Sequence, residues 1–453
     1  MLSSLLIITL ILLTVPCQAG YTPAYNYKDD PEVDSVTSIV LNCDDGATTD
    51  DEWTWDDLQN DVNIKDNVQV RITCDLDIEG QTIRNVLVQQ RGQGSRRFAL
   101  KSYTIKFGDE NTKWRGLDRL LLKKDPAEHS GIRGKLAFDL FRDVPNFASF
   151  RTSWHSLTVV LHKPDGSEEV LDIGLYTNYE KGDAAWIERR KLQGAGYEGT
   201  DAWLYKVNQW DFRRRSAIRT EEDPRYDRQA MERYIEAEGN RDHSKLIRTM
   251  RALNEAADDE FESVLAEHFD LQNLATFVAV AVICGDWDHT SRNMYILSGP
   301  ESSVWYVYPW DFDKCFDRHP TRVNTHLSLQ NVAENYLFRR IMYTIPIKFT
   351  ALVDAKIDML YSGVMSPRRV AALAEAYAAT VAPWLEPGMP DTTQLTKKPW
   401  QREKKDFYKA VNGNVAAWKK NMYLPLGVRT TSLKETGFNT YRLRMRDSVS
   451  TTG

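Results

Sequence analysis

The chain has 453 residues, of which 42% are hydrophobic, 27% charged and 11% aromatic. This composition is typical of a globular protein with a large core, and it excludes a disordered chain, a collagen-like fibre and a low-complexity sequence. The 58 Lys and Arg residues against 64 Asp and Glu give a net charge of −6. That balance argues against non-specific binding to nucleic acid or to an anionic membrane as the main activity.

The N-terminal residues have the pattern of a secretory signal. An apolar run over residues 5–13 is followed by small residues up to Ala19. The run is too short to span a bilayer, which takes about 20 apolar residues. We therefore expect a signal peptide over residues 1–19, cleavage near Ala19, and a secreted or extracytoplasmic protein without stable membrane insertion. A lipid anchor at Cys17 is the alternative, which Pro16 disfavours.

Four cysteines follow the signal: Cys43, Cys74, Cys284 and Cys315. An even number in an oxidising compartment permits two disulfides in any of three connectivities. Sequence proximity favours the pairs Cys43–Cys74 and Cys284–Cys315. Buried thiols are the alternative.

The first 180 residues are predicted to be mostly β-strand, after an acidic leader over residues 20–33. The strand candidates, which are rich in β-branched residues or alternate in hydrophobicity, are 36–41, 68–73, 86–90, 103–107, 157–161 and 174–179. Between them, residues 132–141 have the periodicity of a helix.

After residue 220 the predicted elements are mainly helices. Amphipathic helices are predicted over 226–238, 244–256 and 260–269. Asp270 is suited to cap a helix over 271–283 that is apolar on all sides, and Ser366-Pro367 opens another that ends near Pro383. A sheet-rich half followed by a helical half predicts two lobes, with a ligand bound between them.

The clearest chemical pattern follows the predicted buried helix. Asp288 and Asn293 are five positions apart, and Asp311-Phe312-Asp313 follows a strand candidate over 304–308. In phosphoryl transfer, an Asp in such a loop orients and deprotonates a hydroxyl, while the Asn and a later Asp bind Mg²⁺. Carboxylate and amide oxygens suit Mg²⁺ or Mn²⁺ held together with phosphates. Helix caps and solvated loop residues are the alternative interpretation.

A glycine-containing turn over residues 91–95 separates two strand candidates, and Lys101 and Lys106 lie in or near the second. Such a turn can offer backbone N–H groups to phosphate, and a strand lysine can pair with phosphate oxygens. The two lysines differ by five positions, so a regular strand points them to opposite sides. We favour Lys106 as the nucleotide ligand, with Glu180 as a candidate carboxylate to position it. An ordinary hairpin turn with solvated lysines, and a surface glutamate, are the alternatives.

As an ordered set, these motifs resemble the CotH kinases, a family of secreted atypical protein kinases first associated with bacterial spore coats. The resemblance covers about residues 34–317. The pieces that carry it are Arg91-Gly92 with Ser95, Lys101 to Phe107, Gly174-Leu175-Tyr176 with Glu180, Leu204-Tyr205-Lys206, Asp288 with Asn293, and Trp310 to Asp313. The resemblance implies an α+β, protein-kinase-like bilobal fold with a β-rich N-lobe and a mainly helical C-lobe.

The resemblance also implies roles for the acidic residues. Asp288 is similar to the catalytic base, and Asn293 and Asp311 are similar to the metal ligands. Asp286 and Asp313 are close enough to the matched positions to take a neighbour's role, and we include Asp313 among the candidate metal ligands.

The ATP-binding residues follow in the same way. Lys106 is similar to the nucleotide-binding lysine, with Lys101 as its substitute. The other residues expected at the ATP site are Arg91, Ser95, Glu180 and Lys206. The turn reads Gly-Gln-Gly-Ser over residues 92–95, whereas Gly-Asn-Ser-Ser is expected in many members of the family.

These expectations divide the chain into six segments: a signal peptide (1–19), an acidic leader (20–33), an N-lobe (34–182), an inter-lobe connection (183–220), a helical C-lobe (221–440) and a tail (441–453). The sequence predicts a secreted CotH-like kinase that uses Mg²⁺ or Mn²⁺ to transfer the ATP γ-phosphate to Ser or Thr of protein substrates. A non-catalytic adhesion or binding protein with the same fold, and a carboxylate–metal phosphohydrolase, are the alternatives.

Overall fold

The chain has a mixed α/β fold, with a sheet-rich N-terminal part and helices towards the C-terminus. The computed structural model describes residues 35–46, 53–62, 70–92, 94–109, 111–124, 131–144, 147–190, 192, 199–286, 289, 291–313, 315–316, 332–385 and 400–422. The predicted signal peptide, acidic leader and tail lie outside these residues.

Seven strands of the N-terminal part close into a barrel. They are β1 Val36–Asp44, β2 Arg71–Ile78, β3 Gln81–Gln90, β4 Tyr103–Lys106, β5 Arg119–Lys123, β6 Thr152–His162 and β7 Glu168–Tyr179. Their order is β1-β2-β3-β4-β5-β7-β6, and β1 closes the barrel by pairing in parallel with β6. Alternate side chains of each strand fill the interior with a mainly aliphatic core.

One barrel strand, β5, is absent from the strands predicted from the sequence, whereas the other six each overlap a predicted strand. Its residues Leu120, Leu121 and Leu122 are all buried, so the strand shows no alternation of apolar and polar residues. Only its pairing with β4 and β7 defines it.

The structure confirms one of the two predicted disulfides. Cys43 and Cys74 are directly opposite each other in β1 and β2, with Cα atoms 4.4 Å apart, and they are bonded. The predicted Cys284–Cys315 bond is wrong, because both residues are buried thiols. The Cys315 Sγ instead donates to the Arg133 carbonyl at 3.7 Å.

The described residues also form eleven α-helices, of which the first packs on the barrel. They are α1 Trp55–Asn60, α2 Arg133–Arg142, α3 Ala184–Arg190, α4 Arg228–Glu232, α5 Ser244–Glu255, α6 Phe261–His268, α7 Leu271–Cys284, α8 Tyr336–Thr344, α9 Pro346–Ser362, α10 Pro367–Val381 and α11 Trp400–Met422. Within the described ranges, none of the helices is both long and apolar enough to cross a bilayer.

The second sheet has four antiparallel strands in the order β11-β10-β8-β9. They are β8 Trp203–Val207, β9 Ile235–Ala237, β10 Met294–Ser298 and β11 Tyr306–Pro309.

The helix predicted over 226–238 is wrong in its second half. The helix α4 ends at Glu232, and the chain then extends into β9, where Ile235 pairs with Val207 of β8. The buried residues Met231 and Ile235 gave this segment its helical spacing. The hydrogen bonds to β8 override that local pattern, because propensity is weak compared with tertiary pairing.

Helix α7 is at the centre of the helical part, as the sequence predicts. Every residue from Asn273 to Cys284 is buried, and the Asp270 carboxylate accepts the Asn273 N–H at 2.9 Å. The helix ends at Gly285, whose φ of 69° is the left-handed conformation that glycine adopts without a steric penalty. The chain therefore leaves a buried helix through a sharp turn directly before the predicted catalytic loop.

Part of the outer surface of the barrel packs against a second, larger hydrophobic core. Trp154 of β6 and Leu175 of β7 belong to the core that includes α2 and α7, whereas Leu157 of β6 and Tyr176 of β7 belong to the barrel core. The outer face of these strands thus holds the barrel against the rest of the molecule.

Candidate functional site

Two of the predicted metal ligands lie at one end of the β10–β11 hairpin. Met294 pairs with Pro309, so the residue before β10 and the residues after β11 are neighbours. The Trp310 N–H donates to the Asn293 carbonyl at 2.8 Å, which places Asn293 beside the segment that contains Asp311.

Both ligand candidates have a left-handed backbone conformation. The angle φ is 56° at Asn293 and 62° at Asp311. Residues other than glycine adopt this region rarely, although Asn and Asp tolerate it best. Such strain costs roughly 1–3 kcal/mol, is maintained by the surrounding structure and clusters at functional sites. The hairpin end is therefore the candidate site.

Lys123 of β5, which is not among the predicted site residues, contacts both carboxylates of this segment. Its Nζ donates to Oδ1 of Asp311 and lies 3.6 Å from Oδ2 of Asp313. The side chains are 21% exposed for Lys123 and 35% for Asp311, so water screens the pair only in part.

Two of the cations expected at the ATP site also act on Asp311. Arg91 follows β3 and donates through Nη1 to the Leu121 carbonyl at 3.3 Å, and Lys206 lies in β8. Burial raises the pKa of Asp311, but Lys123, Arg91 and Lys206 together hold that pKa below its ordinary value. Lys123 thus contacts the Asp311 carboxylate directly, and Arg91 and Lys206 stabilise its charge through electrostatic attraction.

Helix α2 supports the Asp311–Asp313 segment from the other side. The ring of Phe312 packs edge-on against Phe138, with centroids 5.2 Å apart, and against Phe141 at 5.3 Å. Arg133 donates to the Asp313 carbonyl at 3.4 Å. The position of the carboxylates therefore depends on the helix that follows the Lys123 strand.

The predicted catalytic loop begins with a buried polar contact. His289 Nδ1 lies 3.2 Å from Asp286 Oδ1, and both side chains are at most 1% exposed. The His289 ring also packs on Phe312, with centroids 4.6 Å apart. Asp288, the predicted catalytic base, lies between these two residues in sequence and outside the described residues. The residue that follows this position, His289, therefore contacts the Asp311–Asp313 segment and also the residue Asp286 that precedes it.

The structure does not bring Lys106 and Glu180 together. Lys106 is exposed at the end of β4, where its backbone pairs with Leu87 and Arg119. The Glu180 carboxylate instead accepts from Arg189 at 2.9 Å and from Arg190 at 2.5 Å.

The charges around Glu180 explain why it remains ionised. Burial raises its pKa, but Arg190, Arg189 and Arg151 outweigh that effect and lower the pKa below its usual range. The expectation that Glu180 positions Lys106 is therefore corrected: this carboxylate forms a buried cluster with arginines.

The remaining candidates lie in the connection between β3 and β4. Lys101 Nζ donates to the Arg96 carbonyl at 2.6 Å, and Ser95 lies in the short turn Gly94–Arg97. Arg96 is buried and donates to the carbonyls of Gly92 and Gln90 at 2.9 and 3.0 Å. The connection is therefore held together by its own arginine.

Lys123 had one signal in the sequence. It ends a short apolar run and is followed, after a few residues, by the amphipathic helix α2. In protein kinases the nucleotide-binding lysine lies on a strand, and its carboxylate partner lies on a neighbouring helix. A lysine at the end of a strand that precedes a helix is therefore the sequence pattern that indicates Lys123.

The donor set fits a hard divalent cation. Asp311, Asp313 and Asn293 offer carboxylate and amide oxygens, and the Lys123 ammonium between the carboxylates shows that this position accepts a cation. Across the described part of the chain, no group of three or more His, Cys, Asp or Glu is arranged as a metal site. Two carboxylates and one amide oxygen suit Mg²⁺, which is usually bound through one or two carboxylates and completes its shell with phosphate and water.

Comparison with known protein families finds a match over most of the chain. The family described as CotH kinase protein matches residues 88–419, which is well over half of the chain. The chain therefore belongs to the CotH kinase family.

A curated relative agrees with this assignment. The chain is similar to "Inner spore coat protein H" of Bacillus subtilis (strain 168), with 23% identity over 266 residues. The matched region is 58% of this chain and 64% of that protein, so the chain spans just under two thirds of its relative.

Proposed function

We propose that this chain is a metal-dependent protein kinase that transfers the γ-phosphate of ATP to Ser or Thr hydroxyls of other proteins. The observation that supports it most is the contact of the Lys123 ammonium with the carboxylates of Asp311 and Asp313, beside Asn293. Phosphoryl transfer needs this combination, because cations must neutralise the phosphates and oxygen ligands must hold the metal.

The proposed roles follow from the contacts. Lys123, rather than Lys106 or Lys101, is the lysine that pairs with the phosphates, because it alone of the three contacts Asp311. Arg91 and Lys206 add positive charge around the same phosphates. Asp311 and Asn293 would hold Mg²⁺, and the bound metal would neutralise negative charge on the β- and γ-phosphates.

Asp288 is proposed as the general base. It would accept the proton of the acceptor hydroxyl as the oxygen attacks the γ-phosphorus. Asp286 and His289, which are in buried contact, lie on either side of Asp288 in sequence. The packing of His289 on Phe312 would hold the loop that contains Asp288 in place.

The same contacts support a kinase-like bilobal arrangement. The barrel would cover the nucleotide through Lys123 and Arg91, and the second sheet with α7 would carry the loop and the metal ligands. The Cys43–Cys74 disulfide supports an extracytoplasmic location, because such bonds persist in oxidising compartments.

Transfer of label from γ-labelled ATP tests the proposal, with casein and the chain itself as acceptors. Asp288→Asn should lower the rate about 10²- to 10⁴-fold, the usual contribution of a general base. Asp311→Asn should abolish the dependence on Mg²⁺ or Mn²⁺. The exposed Asp259→Asn, which removes the same charge from the surface, is the matched control and should transfer label normally.

Two results would point to the alternatives. Release of free phosphate from ATP with no labelled protein would indicate a phosphohydrolase. Absence of any rise in melting temperature with ATP and either metal would indicate a binding protein, because a ligand at 100 times its Kd adds about 2.7 kcal/mol of stability.

A further inference from the structure

The Lys123 ammonium occupies the place where the proposed metal would bind. It contacts Asp311 and lies 3.6 Å from Asp313, so one cation bridges the two carboxylates of the segment. Without ligands, the lysine offsets one of the two negative charges of these carboxylates.

A metal ion would compete with the Lys123 ammonium for the carboxylates, and a phosphate would compete with the carboxylates for the ammonium. A divalent cation that binds Asp311 must displace the ammonium, and the displaced ammonium is then repelled by the new charge unless an anion receives it. A phosphate that binds Lys123 must in turn pull it away from Asp311 and Asp313, which leaves two carboxylates close to the phosphate. Either ligand alone therefore breaks the ion pair and leaves charges of like sign facing each other.

The surrounding charges decide where the displaced lysine goes. Arg91 donates to the Leu121 carbonyl, two residues before Lys123 in the same strand, and Lys206 of β8 also adds positive charge to the surroundings of Asp311. A polyphosphate would interact with all three cations at once. The interaction that it replaces is one partly exposed ion pair, and such a pair in water contributes only about 0–1 kcal/mol of stability.

We infer that Lys123 couples the two ligands: its exchange between the carboxylates and a polyphosphate makes metal and nucleotide bind cooperatively. This inference rests on the proposed function, because it concerns the same nucleotide and metal. Coupling between binding sites is reciprocal, so each ligand must tighten the other by the same factor. Lys123 is thus a positioning residue as well as a phosphate ligand.

The inference predicts that Lys123→Met strengthens the binding of the metal ion when no nucleotide is present. Removing the ammonium removes the competitor for Asp311 and Asp313, so Mn²⁺ alone should bind the variant about tenfold more tightly than wild type. A non-hydrolysable ATP analogue should tighten Mn²⁺ binding by about 5- to 150-fold in wild type, the usual range of coupling, and by much less in the variant.

The experiment titrates Mn²⁺ into the full chain with and without the analogue, and it measures free Mn²⁺ by electron paramagnetic resonance. Lys113→Met is the matched control, since Lys113 is an exposed lysine in the connection between β4 and β5. It should reproduce both wild-type affinities. Lys123→Gln, which keeps a polar side chain, repeats the measurement if the Met variant does not fold.

The outcomes separate the coupling from the function. A Mn²⁺ affinity without nucleotide that is equal to or weaker than wild type in the folded Lys123 variant overturns the coupling alone. Absence of Mn²⁺ binding in wild type, even with the analogue, overturns the proposed function as well. Tighter binding of the metal alone, together with lost enhancement by the analogue, supports the inference.

Discussion

Lys123 and Lys106 lie on neighbouring strands, yet only Lys123 reaches the acidic segment. Register explains the difference: Lys106 pairs with Arg119 at the start of β5, and Lys123 is at its other end. We predict that Lys123→Met lowers the affinity for the ATP analogue more than Lys106→Met, by at least about tenfold. Fluorescence titration with a labelled nucleotide measures both affinities. A larger loss in Lys106→Met would restore the assignment made from the sequence.

His155 makes a second prediction at the scale of one residue. The ring is fully buried, its Nε2 lies 3.0 Å from Ser153 Oγ, and it packs against Trp114. Burial, with a smaller contribution from the charge of Arg115, lowers the pKa of His155 to about 3. The unfolded chain has an ordinary histidine pKa of about 6.5.

The sign of the pH dependence follows. Between pH 6.5 and about 3 the unfolded state binds a proton at His155 that the folded state does not bind, so acid favours unfolding. The stability contributed by the neutral ring is complete above pH 6.5 and should fall by up to about 1.4 kcal/mol per pH unit below it. Urea unfolding of His155→Gln from pH 7 to 5 should lack this slope. The partly exposed His162→Gln is the control, and equal slopes in all three proteins would contradict the prediction.

At this scale, local motifs were predictable and distant contacts were not. Asn293 and Asp311 were recognised because each lies in a short pattern beside a predicted strand or helix. Lys123 was missed because its contact joins residues 188 positions apart, and its place at the end of a short apolar run does not by itself indicate that partner. Glu180 was given the wrong partner because its arginines lie in the helix that follows it.

Among the elements, α2 connects the barrel, the Asp311–Asp313 segment and α10. Inside α2, Lys135 and Asp139 form a buried ion pair at 2.8 Å, and Tyr377 of α10 donates to the same carboxylate at 2.6 Å. Phe138 of α2 packs on Phe312. A buried carboxylate shared by two elements therefore holds the helix on which the site rests.

Removing the Tyr377 hydroxyl tests that role. Tyr377→Phe takes one donor away from the buried Asp139, so it should cost about 1–3 kcal/mol in the free energy of unfolding. Chemical denaturation measures this loss, and Tyr343→Phe, on the exposed side of α8, is the matched control. Equal stability of the two variants would show that the network does not support α2.

Elements were predictable where one segment carries its own signals. Helix α7 was predicted from the N-cap Asp270 and a continuous apolar stretch, and both agree with the structure. The segment 226–238 has a helical spacing of apolar residues, but β9 forms there because β8 offers hydrogen bonds that the segment cannot anticipate.

In the whole molecule, the barrel interior and the larger core are separate clusters, and the disulfide belongs to the barrel alone. The Cys43–Cys74 bond closes a sequence separation of 31 residues, so its reduction should cost the barrel about 3–4 kcal/mol by the chain-entropy argument. Calorimetry of the oxidised and the reduced protein measures this loss. A Cys43→Ala/Cys74→Ala variant should show no response to reductant, and a response would assign the effect elsewhere.

The two thiols that the structure buries in the larger core have a practical consequence. Cys284 and Cys315 lie where an alkylating reagent cannot reach them in the folded chain, whereas the other two cysteines after residue 19 are already bonded. The rate of alkylation therefore records how often the region behind the Asp311–Asp313 segment opens. These two native thiols can therefore be used to measure local opening of the folded chain. Slower alkylation in the presence of nucleotide would indicate that the bound ligand reduces this opening, and no introduced label is needed.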